Sequence, residues 1–439
     1  MRREVSDLLL TEDWCVSLNR FQTLFVGFSG GLDSTVLLHA IATQPRLSSK
    51  LQAIHVHHGL SNNADSWQAH CQQVCERLSV PLINKKVQFE TNSNIEERAR
   101  IARYQLFASL LAKNDCLLLG HHADDQAETL LLQLFRGAGV DGMAAMPSIG
   151  DLAKGKLARP FLQHSRVALE TYAQQHQLPW VDDESNLDNA FSRNYLRHNI
   201  MPLLRKKWPN VVRNLARSAI HCQQAKQNLE TLAAIDYTDL VKQGHKLNLG
   251  PLLTVNRARL TNVLRVWIKN NNVRYPSANI VQRLIDEVIF AREDAFPSIE
   301  WDGITIRRYQ QVLYLFKESV SKHLGCIEWS AFPATLPLDG EGGRYFYASP
   351  VSGKGVKIPK NARVQIRFRQ GGEQFQWHGQ TKQLKKLLQQ WKIPPWQRDQ
   401  IPLLYINEEF AAVVGYAISD HYYSSEPTDT YCIEFHAVT

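Results

Sequence analysis

Ser29-Gly30-Gly31-Leu32-Asp33-Ser34 sits between two unlike patterns. Before it, Thr23 to Phe28 is a short apolar run suited to a buried strand. After it, Val36, Leu37, Leu38 and Ile41 recur at helical spacing. A strand that passes into a helix through paired glycines makes a cradle for phosphate. The glycines let backbone N–H groups approach an anion closely, and the helix N-terminus adds positive dipole. Ser29 and Ser34 offer further donors. Asp33 is placed either to hold a magnesium ion on those phosphates or simply to cap the helix. The loop lacks the lysine of G-x-x-x-x-G-K-[ST], so it is not built for γ-phosphate cleavage.

Working outward, strands are expected at Leu51 to Val56, Leu82 to Phe89 and Cys116 to Leu119. Helices are expected from Ala64 to Leu78, Ile95 to Leu111 and Asp124 to Phe135. This alternation predicts an α/β domain with a parallel, doubly wound sheet. Such sheets bind ligands at the carboxyl ends of their strands. His121 to Glu128 follows the Cys116 strand and should reach the same edge as the glycine loop. Asp125 and Glu128 are i,i+3 neighbours, while Ala127, Leu130, Leu131 and Leu134 are expected to form the buried stripe. Paired carboxylates there suit metal binding or removal of a proton from an incoming amine. Helix capping explains one of Asp124 and Asp125, but not Glu128.

Composition narrows the class. The chain has 439 residues and a formal net charge of +8, which favours two or three domains and makes nucleic acid a natural partner. The 7 cysteines are scattered and include no C-x-x-C pair, which excludes a zinc ribbon or thioredoxin-like motif and fits a reducing cytosol. Cys71 and Cys75, at i,i+4 beside His70, are read as packing residues before a metal site. His55, His57, His58, His121 and His122 are read as structural or substrate-contacting, so no transition-metal site is expected. No apolar run has membrane-spanning length, and Met1-Arg2-Arg3-Glu4 leads into no signal-type apolar core. A soluble cytoplasmic protein is expected.

Beyond the first domain, residues 189 to 229 contain no Asp or Glu but include Arg193, Arg197, Arg205, Lys206, Lys207, Arg213, Arg217 and Lys226. The expected domains are a catalytic one over 1–215 and a mainly helical one over 216–325. A connection follows over 326–360, then a small α+β C-terminal domain over 361–439. In that last part a helix is expected at Thr381 to Trp391 and strands at Leu403 to Ile406 and Ala411 to Ile418. Arg367, Arg369, Lys382, Lys385 and Lys386 lie among Trp377, Trp391 and Trp396. Basic groups beside aromatics suit RNA, although core packing is the stronger reading of the tryptophans.

The Ser29 to Ser34 loop resembles the S-G-G-x-D-S PP-loop of N-type ATP pyrophosphatases. Further segments, in order, are similar to the tRNA(Ile)-lysidine synthase family. They are His55 to Leu60, the A-R-x-x-R-Y helix at Ala99 to Tyr104, and His121 through Gly139. Asp183-Glu184-Ser185-Asn186 and Arg193-Asn194-Tyr195-Leu196-Arg197 complete the set. Arg367 to Glu373 and Pro402 to Tyr405 resemble the C-terminal part of the family's long form.

The resemblance implies a PP-loop fold that uses ATP and magnesium. Its expected substrates are the CAU-anticodon isoleucine tRNA and free L-lysine. ATP would adenylate the carbonyl oxygen at carbon 2 of the wobble cytidine, and lysine would then displace AMP. Ser29, Gly30, Gly31, Leu32, Asp33 and Ser34 would bind ATP, with magnesium on Asp33. Asp125 and Glu128 would engage lysine. Arg103 and Arg197 would stabilise phosphate or adenylate charge, unless they serve only in surface ion pairs. Arg205, Lys206, Lys207, Arg367, Arg369, Lys382, Lys385 and Lys386 would contact tRNA, and a homodimer is compatible with the sequence. The rival readings are a PP-loop tRNA thiolase, which usually needs reactive or cluster-binding cysteines, and a non-catalytic RNA-binding protein with a relic nucleotide loop.

Overall fold

The computed structural model describes residues 9–57, 63–87, 95–182, 191–238, 244–292, 295–317, 325–338, 343–351, 353–426 and 429–437. Of the segments that carry the resemblance, His58-Gly59-Leu60 and Asp183 to Asn186 lie outside these residues, as does Phe89 at the end of the third expected strand. The chain forms two compact units, Met1–Thr238 and Asp239–Thr439.

The first unit alternates as expected: α1 (Glu12–Asn19), β1 (Leu24–Gly27), α2 (Leu32–Ala42), β2 (Leu51–His57), α3 (Ala64–Arg77), β3 (Leu82–Lys86), α4 (Ile95–Leu110), β4 (Cys116–Leu118) and α5 (Ala123–Phe135). There follow α6 (Val140–Met143), β5 (Ile149–Leu152), β6 (Gly155–Ala158), α7 (Arg166–Gln175), α8 (Ser192–Tyr195), a π turn over Leu196–Ile200, α9 (Met201–Lys207) and α10 (Val211–Asp236). The sheet order is β3-β2-β1-β4-β6-β5. Its first five strands run parallel, and only the edge strand β5 is antiparallel. The sequence pattern did not announce β5 and β6, because they are four residues each and β5 is mostly open to solvent.

The sheet is covered on both faces. α2 carries Val36, Leu37, Leu38 and Ile41 into one core with Leu24, Val26 and Leu118, and α4 brings Phe107 into a second with Phe25, Ile54 and Leu117. Strand order reverses between β1 and β4, so the loops that leave these two strands diverge to opposite sides. That divergence opens the crevice where α/β sheets take ligands. The glycine loop and the His121 segment are those two loops. α10 packs along α5 and α6 and continues without a break past residue 215, the boundary expected for this domain.

The second unit contains the expected helices, α11 (Arg257–Asn270) and α12 (Ala278–Arg283), and also an antiparallel sheet. Its strands are β7 (Lys246–Asn248), β8 (Ser298–Trp301), β9 (Ile304–Tyr309) and β10 (Val312–Lys317), in the order β7-β10-β9-β8. This sheet hid from the pattern because Arg308 occupies an inward position of β9. Its guanidinium is buried and donates to the Ile289 carbonyl at 2.7 Å, so the alternation is broken by a charge.

The stretch read as a connection also supplies strands: β11 (Ile327–Glu328), β12 (Leu336–Pro337), β13 (Arg344–Pro350) and β14 (Gly355–Lys357). They join β15 (Val364–Phe368), β16 (Gln374–Trp377), β17 (Gln380–Gln383), β18 (Pro402–Ile406), β19 (Glu409–Val413), β20 (Ala417–Ile418), β21 (Tyr423–Ser424) and β22 (Thr430–Ala437), with α13 (Leu384–Gln390) and α14 (Pro395–Arg398). The helix expected from Thr381 starts only at Leu384. Two five-stranded sheets enclose a core of Trp329, Phe346, Val356, Ile366, Leu404 and Ile433. Trp377 and Trp391 pack against a separate core under α13.

Gly120 tests how tightly the crevice is built. A Cβ there would lie 2.7 Å from the Asp33 carbonyl oxygen and 3.2 Å from the Ser34 nitrogen. Backbone cannot yield as a flexible side chain can. Gly120→Ala should therefore lower the melting temperature and weaken ATP binding at least tenfold by nucleotide titration. Wild-type values in both would mean that the two loops do not need this approach.

Candidate active site

The glycine loop holds itself in shape. The Ser29 amide donates to Ser34 Oγ at 3.2 Å, the two hydroxyls lie 3.1 Å apart, and Ser34 Oγ donates to the Gly31 carbonyl at 3.0 Å. Gly30 has φ +83°, a left-handed turn that a side chain would strain. Gly31 is the N-cap of α2 and offers no side chain to its first amides, which leaves the helix dipole open to an anion. Leu32 is buried beneath this turn. Asp33 projects from the first turn of α2. Its Oδ1 is buried without a hydrogen-bond partner, a free oxygen ligand of the kind a magnesium ion takes.

The second loop joins the first through one imidazole. His122 is 1 % exposed. Its Nε2 lies 3.6 Å from Asp33 Oδ2 and 3.5 Å from Asp125 Oδ2, and its Nδ1 lies 3.5 Å from Asp124 Oδ2. Burial alone would lower its pKa, but the carboxylates of Asp124, Asp33 and Asp125 reverse the sign and push it up to about 10. His121 behaves oppositely. Burial, with Arg159, Arg193 and Arg100 nearby and against the pull of Asp125, drives it down to about 3. Its Nδ1 accepts from Arg159 Nε at 3.3 Å, so the neutral ring carries its proton on Nε2. Adjacent histidines thus hold opposite charge states.

Beyond His122 lies a network of carboxylates and guanidinium forks. Arg193 Nε donates to Glu128 Oε2 at 2.8 Å, and its Nη2 to Asp125 Oδ1 at 3.0 Å. Arg197 Nε donates to Glu128 Oε1 at 2.7 Å, while its Nη2 reaches Glu128 Oε2 at 2.9 Å and Asp125 Oδ1 at 3.2 Å. Arg205 pairs with Asp124, which also accepts from the Arg166 amide at 2.9 Å. Burial would raise the Asp125 pKa, but His122, Arg193 and His121 hold it at about 2. Arg197 is desolvated, yet Glu128 and Asp125 raise its pKa further.

The structure therefore brings Asp33, Asp125, Glu128 and Arg197 into one centre, and adds His122, Arg193 and Asp124. The spacing of Arg193 and Arg197, i,i+4 opposite an i,i+3 acid pair, was the available signal for Arg193. Arg205, expected at tRNA, is engaged with Asp124. Arg103 lies half-buried on α4. No group of three or more His, Cys, Asp or Glu able to hold a metal ion occurs among the described residues.

Family models match three segments: a PP-loop domain over residues 5–204, a TilS substrate binding domain over 247–314 and a TilS substrate C-terminal domain over 364–435. A tRNA(Ile)-lysidine synthase of Legionella pneumophila (strain Paris) is 52% identical over 425 residues, covering 97% of this chain and 98% of its own. The chain belongs to the tRNA(Ile)-lysidine synthase family. Lysidine synthases of Coxiella burnetii, 42% identical over 90% of this chain and 89% of theirs, and of Serratia proteamaculans, 41% identical over 92% and 93%, extend the match. The network of Asp33, His122, Asp124, Asp125, Glu128, Arg193 and Arg197 lies within the segment that matches the PP-loop domain.

The charge network has a signature in stability. The folded Asp125 pKa of about 2 lies below its ordinary 3.8. Its contribution is fully present above the ordinary value and is lost as pH falls through about 2. It amounts to about 2 kcal/mol. In denaturant titrations from pH 5 to pH 2, wild type should lose that much more stability than Asp125→Asn. Parallel acid limbs would show that Asp125 carries no such linkage.

Proposed function

We propose that this chain ligates free L-lysine to carbon 2 of the wobble cytidine in the CAU-anticodon isoleucine tRNA, using ATP and magnesium. The observation that supports this most strongly is the junction of an open phosphate loop with the Asp125–Glu128 pair across His122. ATP would lie on Ser29 to Ser34 at the uncapped start of α2. Magnesium, held through Asp33 Oδ1, would neutralise phosphate charge. The carbonyl oxygen at carbon 2 attacks the α-phosphorus and pyrophosphate leaves. The ε-amine of lysine then attacks carbon 2, and AMP departs with the original oxygen. Adenylation is needed because an amide-like oxygen is a poor leaving group.

Asp125 and Glu128 are the acceptors for the lysine ammonium and for the proton it must lose. In this structure Arg193 and Arg197 hold those acceptors. A triphosphate offers the two guanidinium forks competing oxygens, so nucleotide binding frees the carboxylates for lysine. Arg103 is assigned to phosphate or adenylate charge on the same reading. A sulfur-transferring reaction fits poorly. Cys71, Cys75 and Cys116 are buried, and burial raises each thiol to about 12. No helix among the described residues is long and apolar enough to cross a membrane, and a tRNA-modifying role suits the cytoplasm.

In the second unit, Lys385 and Lys386 are exposed on α13, and Lys382 lies 5.2 Å over the Trp377 ring. These three are proposed to meet tRNA phosphates, as are Lys206 and Lys207 in the first unit. Arg367 and Arg369 are partly committed: Arg367 pairs with Glu408, and Arg369 donates to Asp399 at 2.9 Å.

Purified protein given ATP, lysine and the tRNA should release AMP and pyrophosphate and add lysine to the tRNA. Asp33→Asn should reduce pyrophosphate release at least a hundredfold. ADP and phosphate as products, or full activity in the variant, would refute the chemistry. Changing Lys382, Lys385 and Lys386 together to Gln should weaken tRNA binding and lower the slope of log affinity against log salt by roughly two to three. An unaltered slope would remove these lysines from the interface.

A further inference from the structure

A groove of ≈ 530 Å³ opens beside the reaction centre, between the end of α5 and the α8 turn. Leu132, Leu196 and Ile200 form its floor, Phe135 and Tyr195 its walls, and Arg136 its rim. Leu196 is buried in a small core shared with Ala127 and Leu131, so the floor is rigid. The two rings are not covered: Phe135 is 67% exposed and Tyr195 52%. Adjacent exposed aromatic faces on a fixed apolar floor are costly to leave in water and mark a contact surface.

The groove and the charge network are carried by the same two elements, α5 and the segment that begins with α8. Glu128, Leu132 and Phe135 fall at i, i+4 and i+7 on one face of α5, so the aromatic wall lies roughly 10 Å along the helix from the carboxylate. Tyr195 is two residues along the chain from each of Arg193 and Arg197, the arginines that hold Glu128 and Asp125. Whatever occupies the groove is therefore a near neighbour of the reacting group. The charge around it selects an anion-bearing occupant. Residues 191–229 contain no acid, Lys206 and Lys207 are exposed on α9, and the exposed Arg136 has no acidic partner among the described residues.

We propose that this groove stacks an unpaired nucleobase of the anticodon loop next to the base undergoing modification, with Phe135 and Tyr195 as platforms and Arg136 on the adjoining phosphate. The inference rests on the function proposed above. Single-stranded RNA is held in this way, by aromatic faces beneath splayed bases and basic groups along the backbone. Stacking on such rings is worth about 1–3 kcal/mol per base, or roughly 5- to 150-fold in affinity.

The test uses the full chain, the CAU-anticodon tRNA, and transcripts with an abasic site at each position flanking the wobble base. Wild type must first transfer lysine; if it does not, the proposed function fails and not this groove. Tyr195→Ala and Phe135→Ala should each raise KM for tRNA at least fivefold, leave KM for ATP unchanged and retain the wild-type circular dichroism. Tyr195→Phe should stay near wild type. Removing one flanking base should raise the wild-type KM similarly, yet add little in Tyr195→Ala. Unchanged KM values, or base and side-chain losses that add in full, would overturn the assignment. So would a wild-type dimer in sedimentation that Tyr195→Ala splits without altering KM for tRNA.

Discussion

The contact on which the first unit turns is the passage of Gly120 against the backbone of Asp33 and Ser34, with His122 clamped behind it. It forces two loops that leave diverging strands to touch at one point. Without a side chain at Gly120 the β4 loop comes close enough for His122 to reach carboxylates from both loops. His122 must then be cationic to be tolerated, since three carboxylates surround a ring from which water is excluded. Geometry and charge state are thus one constraint seen twice.

The rest of the centre follows from balancing that buried charge. Asp33, Asp124, Asp125 and Glu128 face His122, Arg193, Arg197 and Arg205, four acids against four cations. Together they form a preorganised field whose arginine forks suit phosphate as well as carboxylate. On the function proposed above, such a site need not import charge to receive a triphosphate and an ammonium, because it can exchange partners within itself. The same economy explains the adjacent histidines. Burial, with Arg159 and Arg193 beside the ring, outweighs the pull of Asp125 and keeps His121 neutral.

Much of this unit was legible in the sequence, because its signals are local. The glycine loop, the i,i+3 acids and the alternation of apolar runs each lie within about a dozen residues, and each corresponds to an element where expected. The partners of the acids were not legible. The i,i+4 spacing of Arg193 and Arg197 makes them able to grip an acid pair but does not name α5 as its place, and nothing local says that Arg205 turns to Asp124 instead of outward. The second unit was harder for a different reason. β9 buries Arg308 in its inward row, and β13 leaves Tyr347 44% exposed on its outward side. Charge inside and aromatics outside erase the alternation that marks a strand. The segment from 326 to 360 accordingly read as a connection, although β13 pairs along its whole length with β22.

On the proposed function, the base oxygen lies where the glycine loop meets the α5 carboxylates and is the atom that attacks ATP. Substrate tRNA carrying ¹⁸O at carbon 2 of the wobble cytidine reports on it directly, through mass spectrometry of the nucleotide released during lysine transfer. The label should appear in AMP, one atom per turnover. AMP without label, or label retained in the modified tRNA, would contradict activation of that oxygen.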